Sequence, residues 1–443
     1  MKKVTRRSFV KSSTILSGGA AIVPSWSAKS YKRIIGSNEK VNVAVAGIRS
    51  RGAAHIAAAK LFPTHANVMA LCDVDDRLFA TIQDEQGLDD ASTRKYKDVR
   101  ILLEDKDIDV LTIATPDHWH APMAMLAMQA GKDVYLEKPF SHNPMEGEWL
   151  IQVEKKTGRV LQIGNQQRSA PTSREVIKLI HEGIIGEAYY SKAWYSNNRG
   201  PIGYGKQVDV PTWLDWDLWQ GPAPRRPYMD NYVHYNWHWF WHWGTGEINN
   251  NGLHELDIAR WALQTDLPSR VTSAGGRYHY KDDWEFYDTQ IAAYEFEDGK
   301  SINWEGRSCS KHPEIHNRGR GNVIYGTEGS VFLDRNGYEV YDNDNNVIKS
   351  ADEQGQSATT DTQGIGGLDA YHFKNFLDAI RLGSELHSTA EEAHKSTLLC
   401  HLGNMAQEHG GALDIDVVTG RPYHKAAMDM WSREYESGWK PVV

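Results

Sequence analysis

Short apolar runs alternate with longer helical patterns through the first 165 residues. Apolar runs of this length, bounded by turn residues, are typical of strands that are buried on both faces. The stretches between them have the length and the alanine content of helices. This alternation predicts a parallel, doubly wound sheet. The predicted strands are residues 41–46, 67–72, 110–114 and 133–136, and helices are predicted at 53–62 and 121–130.

After residue 188 apolar and polar residues alternate, which predicts half-buried strands. A long insertion, residues 196–246, is rich in Pro, Gly and Trp, and an insertion of this length is usually functional. His312, His316, Arg318 and Arg320 are assigned by default to a solvated loop, with a position in a site as the alternative, and the polar residues 349–363 are assigned to a mobile loop. Strands are predicted at 188–195, 270–279, 289–296, 301–307, 322–325 and 331–334, and amphipathic helices at 371–382 and 391–406.

The N-terminal segment has the organisation of an export signal. Arg6 and Arg7 lie in a basic region, an apolar run follows at 15–23, and small residues end at Ala28. Residues 5–11, TRRSFVK, fit a twin-arginine signal, although the alternative is a basic helix start. We therefore predict that residues 1–28 are a signal peptide and that the protein reaches the periplasm already folded.

Composition narrows the class of protein. The 443-residue chain is 40% hydrophobic and 24% charged, as in soluble globular proteins, and its length suits two domains. A net charge of -9 argues against nucleic acid or an anionic membrane as a partner. Cys72, Cys309 and Cys400 lack the spacing of a disulfide framework or a metal site, so buried free thiols are expected.

A glycine turn joins the first predicted strand to the first predicted helix. It runs from Gly47 to Gly52 with the sequence GIRSRG. Such a turn binds a pyrophosphate, because the helix N-terminus offers free N–H groups and the positive end of its dipole. Arg49 replaces the middle glycine of the usual motif, so the turn alone is a weak indication. A side chain there must point away from the phosphates or bind one.

An acidic residue follows the second predicted strand. Asp73 lies roughly 20 residues after the glycines, where a carboxylate accepts hydrogen bonds from both hydroxyls of the adenosine ribose. It would also repel a 2′-phosphate, so NAD is expected rather than NADP. The alternative is that Asp73 caps the next helix.

Two more polar segments, Thr115-Pro116 and Glu137-Lys138, follow predicted strands. Ligands of parallel sheets bind at these carboxyl ends. Lys138 has two interpretations. It is a solvated charge at a strand end, or it lies beside the nicotinamide with a lowered pKa and transfers a substrate proton.

Together these motifs resemble the Gfo/Idh/MocA oxidoreductases. The resemblance implies an α/β protein with an N-terminal Rossmann domain, residues 38–165. It also implies a C-terminal α+β domain, residues 166–443, whose open, mostly antiparallel sheet binds substrate and often forms an oligomer interface. The resemblance rests on the glycine turn, CDVD at 72–75, ATPDHWH at 114–120, AGKDVYLEKP at 130–139, GNQQR at 164–168, and on Gly246, His254 and Asp257.

The motifs and the resemblance together predict a site that holds NAD and no metal. Lys138 and His254 are the expected catalytic residues. The expected cofactor-binding residues are Gly47, Arg49, Ser50, Arg51, Gly52, Asp73, Thr115, Pro116, Asp117, Trp119, His120, Glu137, Lys138 and Asn165. The expected substrate-binding residues are Arg168, Tyr195, Trp237, His238, Asn250, His254 and Asp257.

One position departs from the family pattern. An Asp commonly stands four residues before the active-site His, and here that position holds Asn250. An amide orients a hydroxyl or an imidazole but cannot stabilise a protonated imidazole as a carboxylate would. The proton transfer is therefore expected from Lys138 and from His254 acting alone, and Glu247 or Asp257 are candidates for the missing charge.

Residues 236–244, NWHWFWHWG, hold four tryptophans and two histidines. His234, His238 and His242 have helical spacing for a metal site, but no Cys or paired carboxylate completes it. Buried core is a second interpretation, since Trp is mostly buried. We favour a third, in which the rings form a wall that packs on the C–H face of a sugar.

The predicted function is an NAD-dependent oxidoreductase of a secondary hydroxyl of a sugar or glycoside, C3 of a glucoside included. Free NAD is scarce outside the cytoplasm, so the cofactor should stay bound and be recycled in place. A glycosidase that retains NAD and works by oxidation and elimination is the first alternative, and a non-catalytic sugar-binding protein is the second. A dimer or tetramer is expected, without nucleic acid and without membrane insertion.

Overall fold

The structure is a computed structural model that describes residues 40–312, 315–353 and 367–443. The predicted signal peptide lies outside these residues, as does most of the predicted polar loop at 349–363. Among the helices of the described ranges, none is long and apolar enough to cross a membrane.

Six parallel strands form the sheet of the first domain, in the order β3-β2-β1-β4-β5-β6. The order reverses between β1 and β4, and ligands of doubly wound sheets bind in the crevice at this point. The predicted parallel sheet is confirmed. The strands are β1 (Val41–Ala46), β2 (Ala66–Cys72), β3 (Arg94–Tyr96), β4 (Val110–Ile113), β5 (Asp133–Leu136) and β6 (Leu161–Ile163).

Five helices cover this sheet, and their ends follow ordinary capping chemistry. The second begins after Asp75, whose carboxylate accepts the N–H of Arg77, and ends at Gly87 in the left-handed conformation. The first has no side-chain cap at its N-terminus. The helices are α1 (Ser50–Lys60), α2 (Asp76–Gln86), α3 (Val99–Glu104), α4 (Asp117–Gln129) and α5 (Pro144–Thr157).

Nine strands form the second sheet, in the order β14-β13-β12-β11-β7-β10-β9-β8-β15. β7 and β10 are parallel and the other neighbours are antiparallel. The mostly antiparallel sheet is therefore confirmed. The strands are β7 (Ala188–Ser196), β8 (Arg270–Gly276), β9 (Thr289–Glu295), β10 (Ser301–Arg307), β11 (Arg320–Gly326), β12 (Gly329–Asp334), β13 (Gly337–Asp342), β14 (Val347–Asp352) and β15 (Ala412–Asp414).

The core of the second domain lies where three of its helices, α6, α8 and α10, pack apolar side chains against this sheet. A π-helical turn, Ile248–Gly252, leads into α8. A Cβ on Gly252 would lie 2.6 Å from the ring of Trp304, so the turn needs a glycine to approach the sheet. The helices are α6 (Pro171–His181), α7 (Trp216–Gln220), α8 (Leu253–Leu263), α9 (Gly367–Leu382) and α10 (Ala390–Glu408).

One prediction for this domain is wrong in part. Residues 349–352 were expected in a mobile loop but belong to β14, which pairs with β13. Their side chains are mostly exposed, so the strand carries no apolar face that a sequence pattern would reveal.

Candidate active site

A cleft of about 830 Å³ lies at the carboxyl ends of β1, β2, β4 and β5, and residues of the second domain form its other side. This volume is in the usual range of small-molecule sites. Four predicted site residues, Gly52, Asn165, Arg168 and Asp257, do not line it. Those that do are Gly47, Arg49, Ser50, Arg51, Asp73, Thr115, Pro116, Asp117, Trp119, His120, Glu137, Lys138, Tyr195, Trp237, His238, Asn250 and His254.

Two glycines shape the turn between β1 and α1. Gly47 has a φ of +76°, and a Cβ there would lie 2.6 Å from the carbonyl oxygen of Ala114. A Cβ on Gly52 would lie 1.9 Å from the carbonyl oxygen of Gly47, so α1 can pack this closely against the turn only because Gly52 has no side chain. The uncapped N-terminus of α1 offers its first N–H groups. The turn therefore fits a dinucleotide pyrophosphate although its middle glycine is replaced.

Arg51 is occupied by two carboxylates. Its guanidinium donates to Glu137 Oε1 at 2.7 Å and to Asp369 Oδ2 at 3.0 Å. Glu137 also accepts from Gln166 Nε2 at 2.9 Å and lies 3.1 Å from His55 Nε2. Burial opposes the charge of Glu137, but Arg51 and His55 hold the pKa of this carboxyl well below its usual range. Both predicted residues thus line the cleft with their charges already paired.

Asp73 follows β2 and holds its carboxylate against the glycine turn. Oδ2 accepts the N–H of Ile48 at 2.9 Å, and Oδ1 accepts the N–H of Asp75 at 3.0 Å. Burial raises the pKa of Asp73 to about 6. The helix that follows is capped by Asp75. The capping alternative for Asp73 is therefore wrong, and its position suits an acceptor for ribose hydroxyls.

The segment between β4 and α4 lines the cleft with a free hydroxyl and a buried carboxyl. Thr115 Oγ1 is buried and has no hydrogen-bond partner among the described residues. Such a group is usually satisfied by a ligand or a water molecule. Asp117 accepts from Thr245 Oγ1 at 2.5 Å, and burial raises the pKa of Asp117. Pro116 between them is the N-cap residue of α4.

Trp119 and His120 line the cleft with their ring nitrogens already bonded. Trp119 Nε1 donates to the carbonyl oxygen of Trp219 at 3.0 Å. The two nitrogens of His120 lie 2.9 and 2.7 Å from the carbonyl oxygens of Thr115 and Pro139. These rings therefore shape the wall of the cleft and offer no free nitrogen to a ligand.

Lys138 follows β5, and its ammonium group reaches the second domain. Nζ donates to the backbone carbonyl oxygen of Asn250 at 2.6 Å and to Oδ1 of the same residue at 3.1 Å. Burial lowers the pKa of Lys138, while the carboxylates of Glu137 and Asp117 act in the opposite direction. The structure thus does not place Lys138 as a solvated charge, and a lysine with a lowered pKa suits proton transfer.

Asn250 connects Lys138 to a buried carboxylate. Its Nδ2 donates to Glu247 Oε1 at 3.2 Å, and Asn251 Nδ2 donates to the same oxygen at 2.5 Å. Arg199 Nε donates to Glu247 Oε2 at 2.7 Å. Burial opposes ionisation of Glu247, but Arg199 and the amide of Asn251 lower the pKa of its carboxyl. Of the two candidates for the missing charge, Glu247 is the one that lies beside Asn250.

His254 lies in the first turn of α8 and lines the cleft. Its side chain is buried, and no residue that the structure describes hydrogen-bonds to its ring. Burial and the nearby charges of Arg335 and Lys138 lower the pKa of His254 well below its usual value. A neutral imidazole with unbonded nitrogens can accept a proton from a bound hydroxyl.

The tryptophan stretch is divided between core and cleft. Trp239 and Trp243 are 1% and 0% exposed and belong to aromatic cores. Trp237 and His238 line the cleft and stack on each other with ring centroids 3.6 Å apart. The core interpretation holds for the first pair. Trp237 packs in the same core as Trp243 and also lines the cleft, so the cleft-wall interpretation suits it together with His238. The segment Asn236–Trp239 is a short 3-10 turn, which a helical or an extended pattern does not predict.

The three histidines of the metal interpretation bond separately. His234 Nε2 lies 2.9 Å from Asp75 Oδ2, whereas His238 and His242 bond to backbone carbonyl oxygens at 2.6 and 2.7 Å. Across residues 40–312, 315–353 and 367–443, no three His, Cys, Asp or Glu side chains are grouped as a metal ion requires.

Tyr195 lies near the end of β7 and presents a neutral hydroxyl. The phenol oxygen accepts from Asn197 Nδ2 at 2.8 Å. Burial and the charge of Glu247 raise the pKa of Tyr195 to about 12. The phenol therefore stays protonated and can donate a hydrogen bond to a ligand.

Three predicted ligand contacts are corrected by the structure. Arg168 and Asp257 form a buried ion pair with bonds of 2.7 and 2.8 Å, and Asp257 also accepts from Ser396 Oγ at 2.6 Å. They connect the segment after β6 to α8 and therefore support the helix that carries His254. Asn165 is buried outside the cleft, whereas its neighbour Gln166 lines it. A motif shared by a family does not distinguish a residue that binds ligand from one that supports the site.

Sequence reasoning missed several charged residues of the cleft. Arg320 was expected in a solvated loop but begins β11, is 9% exposed and donates to Glu255 at 2.8 and 3.1 Å. Arg199, Arg335 and Asp369 also line the cleft. They come from three distant parts of the second domain. Nothing in the local sequence shows which end of the second domain meets the first domain.

Comparison with known proteins adds a family and several relatives. Residues 41–165 match the GFO_IDH_MocA family, described as an oxidoreductase family with an NAD-binding Rossmann fold. Residues 176–360 match the C-terminal alpha/beta domain of the same oxidoreductase family.

Two relatives align over different lengths. An inositol 2-dehydrogenase/D-chiro-inositol 3-dehydrogenase of Lactiplantibacillus plantarum is 27% identical over 39% of this chain and 51% of its own. This chain therefore spans about half the length of that relative. A glycosyl hydrolase family 109 protein of Parabacteroides distasonis is 23% identical over 92% of this chain and 95% of its own.

A solved structure shows the same fold. The aldose-aldose oxidoreductase of Caulobacter crescentus aligns with a TM-score of 0.62 and 19% identity, over 85% of this chain and all of that one.

Proposed function

Because this chain belongs to the Gfo/Idh/MocA oxidoreductase family, we propose that it oxidises or reduces a secondary hydroxyl of a sugar or glycoside with NAD, C3 of a glucoside included. The observation that carries the proposal is the placement of Lys138 and His254 in one cleft with the glycine turn and Asp73. The inositol dehydrogenase among the relatives is named for the same type of reaction on a polyol.

NAD supplies hydride transfer when bound, and the chain supplies proton transfer and orientation. In the direction of oxidation, the neutral ring of His254 accepts the hydroxyl proton. The ammonium group of Lys138 donates a hydrogen bond to the same oxygen and stabilises the charge that develops there. In the direction of reduction these steps reverse. Trp237 and His238 form a wall on which the C–H face of a sugar ring packs.

The proposal includes an NAD that stays bound through turnover, so the NADH formed when one sugar is oxidised passes its hydride to the carbonyl carbon of a second sugar. Its test begins with the purified full chain, dialysed and then assayed for nicotinamide after denaturation. Nucleotide should remain in near-equal amount to protein. The same protein is then incubated with a panel of sugars and glycosides, and the products are examined by mass spectrometry for the loss of two hydrogen atoms. Loss of all nicotinamide on dialysis would contradict the retained cofactor, and the absence of any ketosugar would contradict the activity.

A second candidate is a glycosidase that retains NAD, and the nearly full-length alignment with a family 109 glycosyl hydrolase favours it. Transient oxidation at C3 acidifies the proton at C2, a base removes that proton, and the aglycone leaves. Addition of water and reduction of C3 then restore the sugar. The Tyr-x-x-His-Gly segment expected for that branch is absent near His254, where the sequence is GLHE. An aryl glycoside separates the two functions, since release of the aryl alcohol indicates the glycosidase and a ketosugar without release indicates the dehydrogenase.

Export by the twin-arginine route is also proposed, on the basis of Arg6 and Arg7 and the apolar run that follows. Cells that produce the full chain are fractionated beside cells that produce an Arg6→Lys, Arg7→Lys variant. The first protein should appear in the periplasm and the variant in the cytoplasm. A cytoplasmic location for both would contradict export.

We further propose that copies of the chain associate through the second sheet. Tyr189 on β7 and Ile291 on β9 are 46% and 49% exposed, which is unusual for large apolar side chains on the central strands of a sheet. Light scattering on the purified protein should give the mass of a dimer or tetramer, and a monomer would contradict the proposal.

A further inference from the structure

Arg335 is an arginine of the cleft without a partner. It lies in the two-residue turn between β12 and β13, is half-buried and lines the cleft. Its Nε is buried, and Arg335 makes no hydrogen bond or ion pair with any residue that the structure describes. A buried guanidinium nitrogen without an acceptor is costly, and arginines in such positions are normally paired. The turn therefore holds a cation that lacks an anion.

Two carboxylates act on the charge of Arg335, and both are already bound by other arginines. Glu255 receives two hydrogen bonds from Arg320, at 2.8 and 3.1 Å. Asp369 accepts from Arg51 at 3.0 Å. Burial and the charge of Arg320 lower the pKa of Arg335 to about 9, while the charges of Glu255 and Asp369 act in the opposite direction. No residue that the structure describes supplies the missing anion, and a ligand in the cleft can supply it.

The part of the cleft that the second domain contributes is cationic as a whole. Its charged lining residues are five cations and two acids, namely Arg199, Lys311, Arg318, Arg320 and Arg335 against Asp334 and Asp369. Arg199 and Arg320 are paired with the buried Glu247 and Glu255, and Arg318 Nε lies 3.3 Å from Asp334 Oδ2. Arg335 is the cleft arginine of this domain, within the described residues, that lies deep and stays unpaired. Its position thus selects for negative charge on whatever the domain binds.

We propose that the cleft takes a sugar that carries a carboxylate, of the uronic or aldonic acid class, and that Arg335 binds this carboxylate through two parallel N–H donors. The planar guanidinium matches a carboxylate in this way, and such paired bonds add orientation as well as affinity. Arg335, His254 and Lys138 line the same cleft, so a carboxylate bound by Arg335 belongs to a sugar whose hydroxyl can reach the catalytic residues. This inference rests on the proposed function for the identity of the ligand as a sugar.

The test measures binding by calorimetry on the purified protein with its bound nucleotide. The ligands are methyl glucuronoside, methyl galacturonoside, the matching uronamides and the neutral methyl glycosides. The wild-type protein should bind at least one uronoside more tightly than its amide, by about 10-fold or more. The Arg335→Gln variant should lose this preference, and Arg335→Lys should keep part of it because a charge without the planar fork remains.

Arg318→Gln is the matched control, because Arg318 belongs to the same wall but is 47% exposed and paired with Asp334. A loss of preference as large in this variant as in Arg335→Gln would overturn the assignment, since it would indicate a general field and not a paired contact. Equal binding of uronosides and amides by the wild type would also overturn it. So would a loss of bound nucleotide in Arg335→Gln with the sugar preference intact, because the partner would then be a cofactor phosphate.

The two proposals fail in different ways. Binding is measured without turnover, so an Arg335-dependent preference for carboxylates in a protein that oxidises none of these sugars would contradict the proposed function and support the ligand class. Oxidation of neutral sugars at rates that exceed those of the corresponding sugar acids would support the proposed function and contradict the ligand class. Thermal unfolding of each variant checks that the fold is intact, and Arg335→Lys remains informative if Arg335→Gln does not fold.

Discussion

Lys138 Nζ donates both to the backbone carbonyl oxygen of Asn250, at 2.6 Å, and to the side-chain oxygen of the same residue, at 3.1 Å. The nitrogen of the same side chain, Asn250 Nδ2, donates to the carboxylate of Glu247 at 3.2 Å. Position 250 must therefore accept on one side and donate on the other, which an amide does and a carboxylate does not. This explains why an amide replaces the acid that is common in the family.

Replacing this amide by an acid should destabilise the site. Asn250→Asp places two carboxylates at the distance of the present hydrogen bond, and we expect a loss of about 1–3 kcal/mol in the free energy of unfolding. Glu247→Gln in the same chain removes the repulsion and should restore about half or more of that loss. The measurement is a double-mutant cycle of denaturant unfolding. Losses that simply add would show that the two side chains are not coupled.

Removing the ammonium group should stop turnover and leave the cofactor in place. Lys138→Met keeps the length of the side chain and removes the proton donor, so we expect ketosugar formation to fall about 100-fold or more. Nicotinamide content after dialysis should be unchanged, because the glycine turn and Asp73 are untouched. Lys178→Met, an exposed lysine of α6, is the control. Normal turnover in Lys138→Met would remove this residue from the mechanism.

The preference for NAD over NADP should depend on Asp73. Asp73→Asn removes the charge and keeps only one of the two oxygens that accept the N–H groups of Ile48 and Asp75. We expect NAD affinity to fall by about 10-fold, since a charge-assisted bond becomes a neutral one. NADP affinity should rise because the repulsion of its 2′-phosphate is gone. Nucleotide titration of Asp73→Asn checks this against Asp84→Asn, an exposed position on α2. An unchanged ratio of the two affinities would contradict the assignment.

Stability should fall as the solution becomes acidic, in part because histidines are buried in their neutral form. Burial lowers the pKa of His372 to about 4 and that of His401 to about 3. In the unfolded chain both titrate near pH 6.5. Below about pH 6.5 the unfolded state therefore binds protons that the folded state does not, and each group lowers the free energy of unfolding by up to about 1.4 kcal/mol per pH unit.

The measurement is the free energy of unfolding between about pH 7 and pH 5. His401→Asn should give a shallower pH slope than the wild type, whatever its effect at neutral pH. His279→Asn, at an exposed position, should leave the slope unchanged. A wild-type slope in His401→Asn would show that this histidine is already protonated in the folded protein.

Much of the nucleotide half of the cleft is predictable from sequence. Gly47, Asp73, Thr115 and Glu137 each follow an apolar run directly, and the carboxyl ends of parallel strands meet at one edge of a sheet. Local pattern and global position are therefore linked in this domain. The tryptophan stretch shows the limit of this logic, because Trp237 packs in one aromatic core and also lines the cleft, whereas its near neighbour Trp239 packs in another core and does not line the cleft.

The sequence by itself determined the family, the two sheets and the residues that stand at the ends of the first. Strands that are buried on both faces appear in the sequence as continuous apolar runs, and short loops place each motif beside the strand it follows. Only the tertiary structure decided that Arg168 and Asp257 satisfy each other, that Glu247 supports Asn250, and that Arg335 remains unpaired. Those outcomes depend on contacts between charged residues that lie far apart in the chain. The local sequence around a charged residue does not show which partner it will meet in the folded protein.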